Sequence, residues 1–242
     1  MNLEVTGQTA EEPGRTHSWL TSYYPVRVGL DVIGIGVVVV DITERKEAEQ
    51  AQRHLTRAAI DAIARTVEAR DPYTAGHQQR VAGIAAEIAS RLGLDPFTVE
   101  GIKVGATIHD IGKIAVPAEV LARPGKLTPA EWEMMKTHPQ VGHDIIDPIN
   151  FSWPIPDMIL QHHERLDGSG YPSGLSGEAI GLGARIIAVA DVVDATSSHR
   201  PYRPGLGLAV ALDELTRGRA TKFDPEIVDI CLTLCQDGHL PP

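Results

Sequence analysis

The chain has 242 residues, 43% of them hydrophobic, and a formal net charge of −10. That is enough apolar material for one good-sized domain with a smaller piece attached, and the acidic balance excludes a long nucleic acid, which demands clustered Lys and Arg. The longest apolar run, Ile33 to Val40, falls far short of a membrane span; with no signal peptide and two cysteines, Cys231 and Cys235, spaced for one helix face, the chain reads as cytoplasmic, with reduced core thiols and no membrane partner.

Residues 1–17 are polar and lack periodicity, so disorder is expected there. Residues 18–42 hold two strand-like runs, the second of which (DVIGIGVVVVDI) is β-branched and bounded by Gly29 and Asp41. They predict a short β-hairpin. Residues 43–70 change abruptly to Ala, Glu, Arg and Gln, the composition of one long connecting helix. Ala48, Ala51, Leu55 and Ala58 give it a weak apolar stripe, through which a homodimer is expected. From residue 71 to residue 242 the pattern is helical. Asp71-Pro72, Asp95-Pro96 and Asp224-Pro225 each join an N-cap residue to a proline suited to the first turn. Thr128-Pro129-Ala130-Glu131 reads as a capping box, and the helix it opens is expected to end at His138. No internal repeat is evident. The predicted fold class is all-α with a small β remnant in front.

Ten histidines are scattered along the chain. His17, His54, His199 and His239 stand in polar surroundings and read as surface. His77 lies four residues before Val81, on the apolar stripe of Val81, Ile84, Ala85, Ile88 and Leu92. His109 continues the series Val99, Ile102, Ala106, with Asp110 beside it. Asp191 sits inside the apolar run RIIAVADVVDAT. A carboxylate buried there needs a cation, an Arg or a helix end to satisfy it. With His138 and the adjacent His162-His163, the set becomes five histidines and two aspartates, with no thiolate. Nitrogen and oxygen donors of this kind suit iron, manganese or zinc. Seven donors exceed what one ion with an open position takes, but they suit two ions bridged by a shared carboxylate. Such a pair activates water for in-line attack on phosphorus. Lys113, four residues after His109, is placed to hold a phosphate or to offset charge developing in the transition state.

The doublet His109-Asp110 in HDIGK, followed by HHERLDGSGYP, resembles the HD-GYP phosphodiesterases, bacterial hydrolases of the second messenger cyclic di-GMP. The likeness runs from Arg70 to Leu232 and includes RDPYTAGH, KTHPQVG, ARIIAVADVVDA and RPYR. It implies an HD-domain helical bundle behind a linker helix. It assigns His77, His109, Asp110 and Asp191 to one metal and His138, His162 and His163 to a second, with Asp110 bridging. It implies two divalent ions, iron first, with manganese or zinc as alternatives. Asp110 and Lys113 become the catalytic residues. Contacts to cyclic di-GMP fall to Asp71, Lys113, the loop Gly170-Tyr171-Pro172, and the basic pair Arg200 and Arg203. The loop's glycines are expected to keep it flexible enough to approach a flat anionic ligand. Some members hold a third ion through a Glu one turn before the first histidine; here that position is Tyr73, so two ions are expected. Asp194 could still offer an oxygen.

In front, YYPVR and IGIGVVVVDITERKEAE resemble the last strands and exit segment of a PAS sensor domain. Too few residues precede the helix for a whole sensor, so a partial one is expected. Three functions compete. The first is an active cyclic di-GMP phosphodiesterase in signalling, stopping at the linear dinucleotide or going on to GMP. The second is a non-catalytic receptor or protein-interaction module with the same fold, and the third a mononucleotide hydrolase. The complete ligand set argues against the second, and the GYP segment with Arg200 and Arg203 argues against the third.

Overall fold

The computed structural model describes residues 2–70, 76–123, 125–197 and 207–238. The chain divides into two compact units, Met1–Ala59 and Ile60–Pro242.

The first unit is an antiparallel sheet of order β1-β2-β3, made of β1 (Asn2–Gly7), β2 (His17–Val28) and β3 (Asp31–Asp41), and it ends in the start of helix α1 (Thr43–Glu68). β2 and β3 pair from Trp19↔Asp41 to Val28↔Asp31, with a slip in register between Val26 and Arg27. Disorder was the expectation for residues 1–17; instead residues 2–7 form a strand that pairs Asn2 with Ser22 and Gly7 with His17. Leu3 and Val5 alternate with Asn2, Glu4 and Thr6, a two-residue period short enough to be masked by its polar neighbours. The hairpin is therefore a three-stranded sheet. Thr43 closes its end: Asp41 Oδ1 accepts from Thr43 N at 2.8 Å, and Thr43 Oγ1 accepts from Ser18 N at 2.9 Å. Leu55, on the stripe of α1, is 64% exposed.

The second unit is helical. After the last turns of α1 come α2 (His77–Arg91), α3 (Pro96–Thr107), a 3₁₀ turn over Ile111–Ala115, α4 (Ala118–Leu121), α5 (Pro129–Met135), α6 (His138–Ile146), α7 (Ile155–Gln161), α8 (Leu182–Ser197), α9 (Leu208–Gly218) and α10 (Pro225–Gln236). Three of the four start signals work as the sequence predicts, and the fourth, Asp71-Pro72, lies outside the described residues. Asp95 accepts from Phe97 N and Thr98 N, Asp224 from Glu226 N and Ile227 N, and Thr128 with Glu131 closes a capping box. The main core joins α2, α3, α8 and α10 through Val81, Ile84, Ile88, Ile102, Ile186 and Leu234, among others. A second core sets Ala64 and Val67 of α1 against Val104, Ile108, Ile111 and Ile159.

His138 does not end the helix that Thr128 starts. That helix stops at Met135, and His138 opens α6. Pro139 explains the break, because its ring fits a first turn and not a helix interior. Gly112 and Gly142 let the 3₁₀ turn and α6 touch. A Cβ on Gly112 would collide with the His138 carbonyl, and one on Gly142 would lie 2.7 Å from Ile159 Cγ2. This close approach sets Asp110 beside His138. No helix among the described residues is long and apolar enough to cross a membrane.

Candidate metal centre

Helix ends supply most of the site. His77 is the first residue of α2 and His138 the first of α6; His162 follows α7, and His109 with Asp110 follows α3. Asp191 projects from within α8. Their donor atoms gather in two groups. One holds His77, His109 and Asp191; the other holds Asp110, His138, His162 and His163.

The same device orients three of the imidazoles. His109 Nδ1 donates to the Ala106 carbonyl at 2.7 Å, His138 Nδ1 to Met135 at 2.8 Å and His162 Nδ1 to Ile159 at 2.6 Å. Each accepting carbonyl lies three residues back, where the end of a turn leaves it unpaired. A carbonyl can only accept, so Nδ1 carries a proton, which leaves Nε2 as the atom that offers a lone pair to a ligand. His138 Nε2 and His162 Nε2 then face each other at 3.3 Å, a contact of two acceptors. Among the described residues, His109 Nε2 is buried without a hydrogen-bond partner. Lone pairs converging in this way call for a cation, and these donors fit one.

Charge is arranged to match. Burial is the chief force pushing the His138 imidazole down, to about 4, against the pull of Asp110. Burial, then neighbouring imidazoles, holds His162 and His163 well below the usual histidine range. All three are neutral near pH 7 and free to ligate. Burial opposes the charge on Asp110, yet Lys113 and then the imidazoles keep it well below the usual carboxylate range. Burial likewise opposes the Asp191 charge, and His77 outweighs it. At His77 burial disfavours the imidazolium, but Asp191 and Asp194 raise it to about 9. That position draws positive charge to Nε2, from a proton or a metal ion.

Asp110 spans the two groups. Its Oδ1 lies 3.3 Å from His138 Nε2, while its Oδ2 lies 3.5 Å from His109 Nε2 and 3.9 Å from His77 Nε2. Oδ2 also accepts from Lys113 Nζ at 2.6 Å. Asp191 Oδ1 is 3.3 Å from His77 Nε2.

Asp194 does not act as the spare donor considered from the sequence. Its carboxylate accepts from His77 Nδ1 at 2.6 Å and from Arg80 Nε at 2.6 Å, so it orients the first imidazole. The loop of Gly170, Tyr171 and Pro172 also departs from expectation, because it is held rather than flexible. Glu164, 2% exposed, accepts from Ser173 N at 2.7 Å and Leu175 N at 3.0 Å. Gly170 lies so close to the backbone of Glu164 and Arg165 that a side chain has no room. Tyr171 N donates to the His163 carbonyl, and the Tyr171 ring stacks on His163 with centroids 4.7 Å apart. Beside the loop is a cavity of about 360 Å³, lined by Lys136, Thr137, Gln140, Tyr171 and Pro172 among others. Sequence reasoning missed Glu164, Arg80 and the ring-orienting role of Asp194. Glu164 has one sequence signal, a carboxylate between the paired histidines and a glycine-rich loop. Asp71, Tyr73, Arg200 and Arg203 lie outside the described residues.

Fold and site together define a helical bundle of the histidine–aspartate class, with a donor set fit for divalent metal. A family model described as "HD domain" matches residues 61–227. The chain is 42% identical over 193 residues to the "Cyclic di-GMP phosphodiesterase response regulator RpfG" of Xanthomonas campestris pv. campestris, covering 79% of this chain and 50% of that protein. It is 36% identical over 198 residues to the "3'3'-cGAMP-specific phosphodiesterase 3" of Vibrio cholerae, covering 79% and 43%. Among solved structures, an HDG"Y"P protein of Bdellovibrio bacteriovorus superposes with a TM-score of 0.56 at 22% identity over 66% of this chain and 51% of that one, a likeness of fold. The chain belongs to the HD-domain family. It spans about half the length of the curated relatives it matches.

Proposed function

We propose that this chain is a metal-dependent phosphodiesterase that hydrolyses cyclic di-GMP to the linear dinucleotide. The observation that carries this is Asp110, whose two oxygens face two separate histidine groups. His77, His109 and Asp191 would hold one divalent ion and His138, His162 and His163 the other, with Asp110 shared. Iron is the expected metal, with manganese and zinc as alternatives of the same donor preference. The bound pair would supply an activated water and neutralise charge developing on the phosphate. Lys113, at the edge of the site, would hold a non-bridging phosphate oxygen. Tyr171 and Pro172 line the cavity where the rest of the dinucleotide would lie, and Asp71, Arg200 and Arg203 would supply further contacts to it. The substrate names carried by the relatives support cyclic dinucleotides as the class.

The test is turnover of cyclic di-GMP by the purified chain loaded with iron or manganese, with cyclic GMP–AMP as competitor substrate. Turnover should be present with metal and vanish on chelation, and cyclic di-GMP should be the preferred of the two. A metal-loaded protein that binds cyclic di-GMP without cleaving it would instead make the chain a receptor.

A further inference from the structure

We infer that Glu68, the last residue of α1, is a positioning residue for His77, an inference resting on the assignment of His77 as a metal ligand. α2 begins at His77, and its N-cap is Gly76, which has φ +70 and no side chain to offer the first N–H groups. Those donors need an acceptor from elsewhere. Glu68 provides it from another helix. One carboxylate oxygen accepts from Gly76 N at 3.2 Å and the other from Gln78 N at 3.1 Å. The two bonds bracket His77 on both sides. Gly76 itself cannot take over the task, because left-handed backbone disfavours a side chain and a Cβ there would lie 2.9 Å from Arg80 Nη1.

A second tie runs the same way. Gln78 is 1% exposed, and with its amide nitrogen turned toward the two carbonyls it donates to Thr107 at 2.9 Å and Ala64 at 3.3 Å. The first turn of α2 is thus bonded to α1 through Ala64 and Glu68, and to the end of α3 through Thr107. Asp194 fixes the His77 ring while Glu68 fixes its backbone. The carboxylate also complements the positive end of the α2 dipole.

The experiment titrates cobalt(II) into the metal-stripped full chain, read by visible absorption, beside thermal unfolding of each variant. Glu68→Ala should weaken one class of cobalt site by about tenfold, the scale seen for residues that orient metal ligands. Glu68→Gln keeps one of the two accepting oxygens and should weaken the same site less than Glu68→Ala does. Asp95→Ala removes a cap of the same kind at the end of α3 remote from His109. It should lower the unfolding temperature yet bind cobalt as wild type does. Glu68→Ala within about threefold of wild type at every site, or an equal weakening by Asp95→Ala, would overturn the positioning role. A wild type that takes up no cobalt would overturn the metal assignment itself, and Glu68 with it.

Discussion

Replacing Asp110 by Ala should cut turnover of cyclic di-GMP by roughly 10³-fold, the scale of losing an essential charged group in a site shielded from water. Metal content should fall in the same preparation. The reason is geometric: Oδ1 faces His138, Oδ2 faces His109 and His77, and Lys113 donates to Oδ2 at 2.6 Å. Removing the carboxylate deprives both histidine groups of the side chain they share and leaves Lys113 facing two sets of imidazoles. Asp110→Asn separates charge from shape. It keeps the volume and one oxygen, so it should fold like the wild type and still lose most of its metal. Elemental analysis beside the kinetic assay checks both variants. An Asp110→Ala protein with full turnover, or with unchanged metal, would make the bridging assignment wrong.

The second large effect should come from Glu164→Ala. Its carboxylate is buried and accepts two backbone N–H groups from the loop that carries Tyr171 and Pro172. Alanine takes the acceptor from both N–H groups, which are part-buried so that water replaces it only in part, at about 1–2 kcal/mol each. Thermal or denaturant unfolding should therefore show a loss of about 2–4 kcal/mol. Tyr171 should lose its fixed place on His163, so KM for the dinucleotide should rise more than kcat falls. Glu164→Gln fills the same space and keeps one accepting oxygen, so roughly half the stability loss is expected. Unchanged unfolding in Glu164→Ala would mean that the loop is held by other contacts.

Much of the site is legible in the sequence because its donors are chemically costly to bury. Asp191 in an apolar run and His77 on an apolar stripe demand partners, and the order of motifs says which. The helix starts are equally legible, since Asp-Pro and Thr-x-x-Glu act locally. Glu68 and Glu164 are harder to read, because each accepts from backbone N–H groups eight to eleven residues away, and any residue except proline offers an N–H. Gly170 shows the opposite difficulty. Its sequence context suggests freedom, whereas its place against Glu164 and Arg165 requires only the lack of a side chain. β1 is hidden because its partner strand begins ten residues after it ends. His138 is misread by one helix because Pro139 suits both a break and a start.

The most direct test of the central claim is anomalous scattering from crystals of the iron- or manganese-loaded chain. Two peaks per chain are expected, about 3.5–4 Å apart, a spacing that lets one carboxylate bridge them. One should lie among His77, His109 and Asp191, the other among His138, His162 and His163, with Asp110 between them. A single peak, none, or a third peak sharing His77 would contradict the two-ion centre.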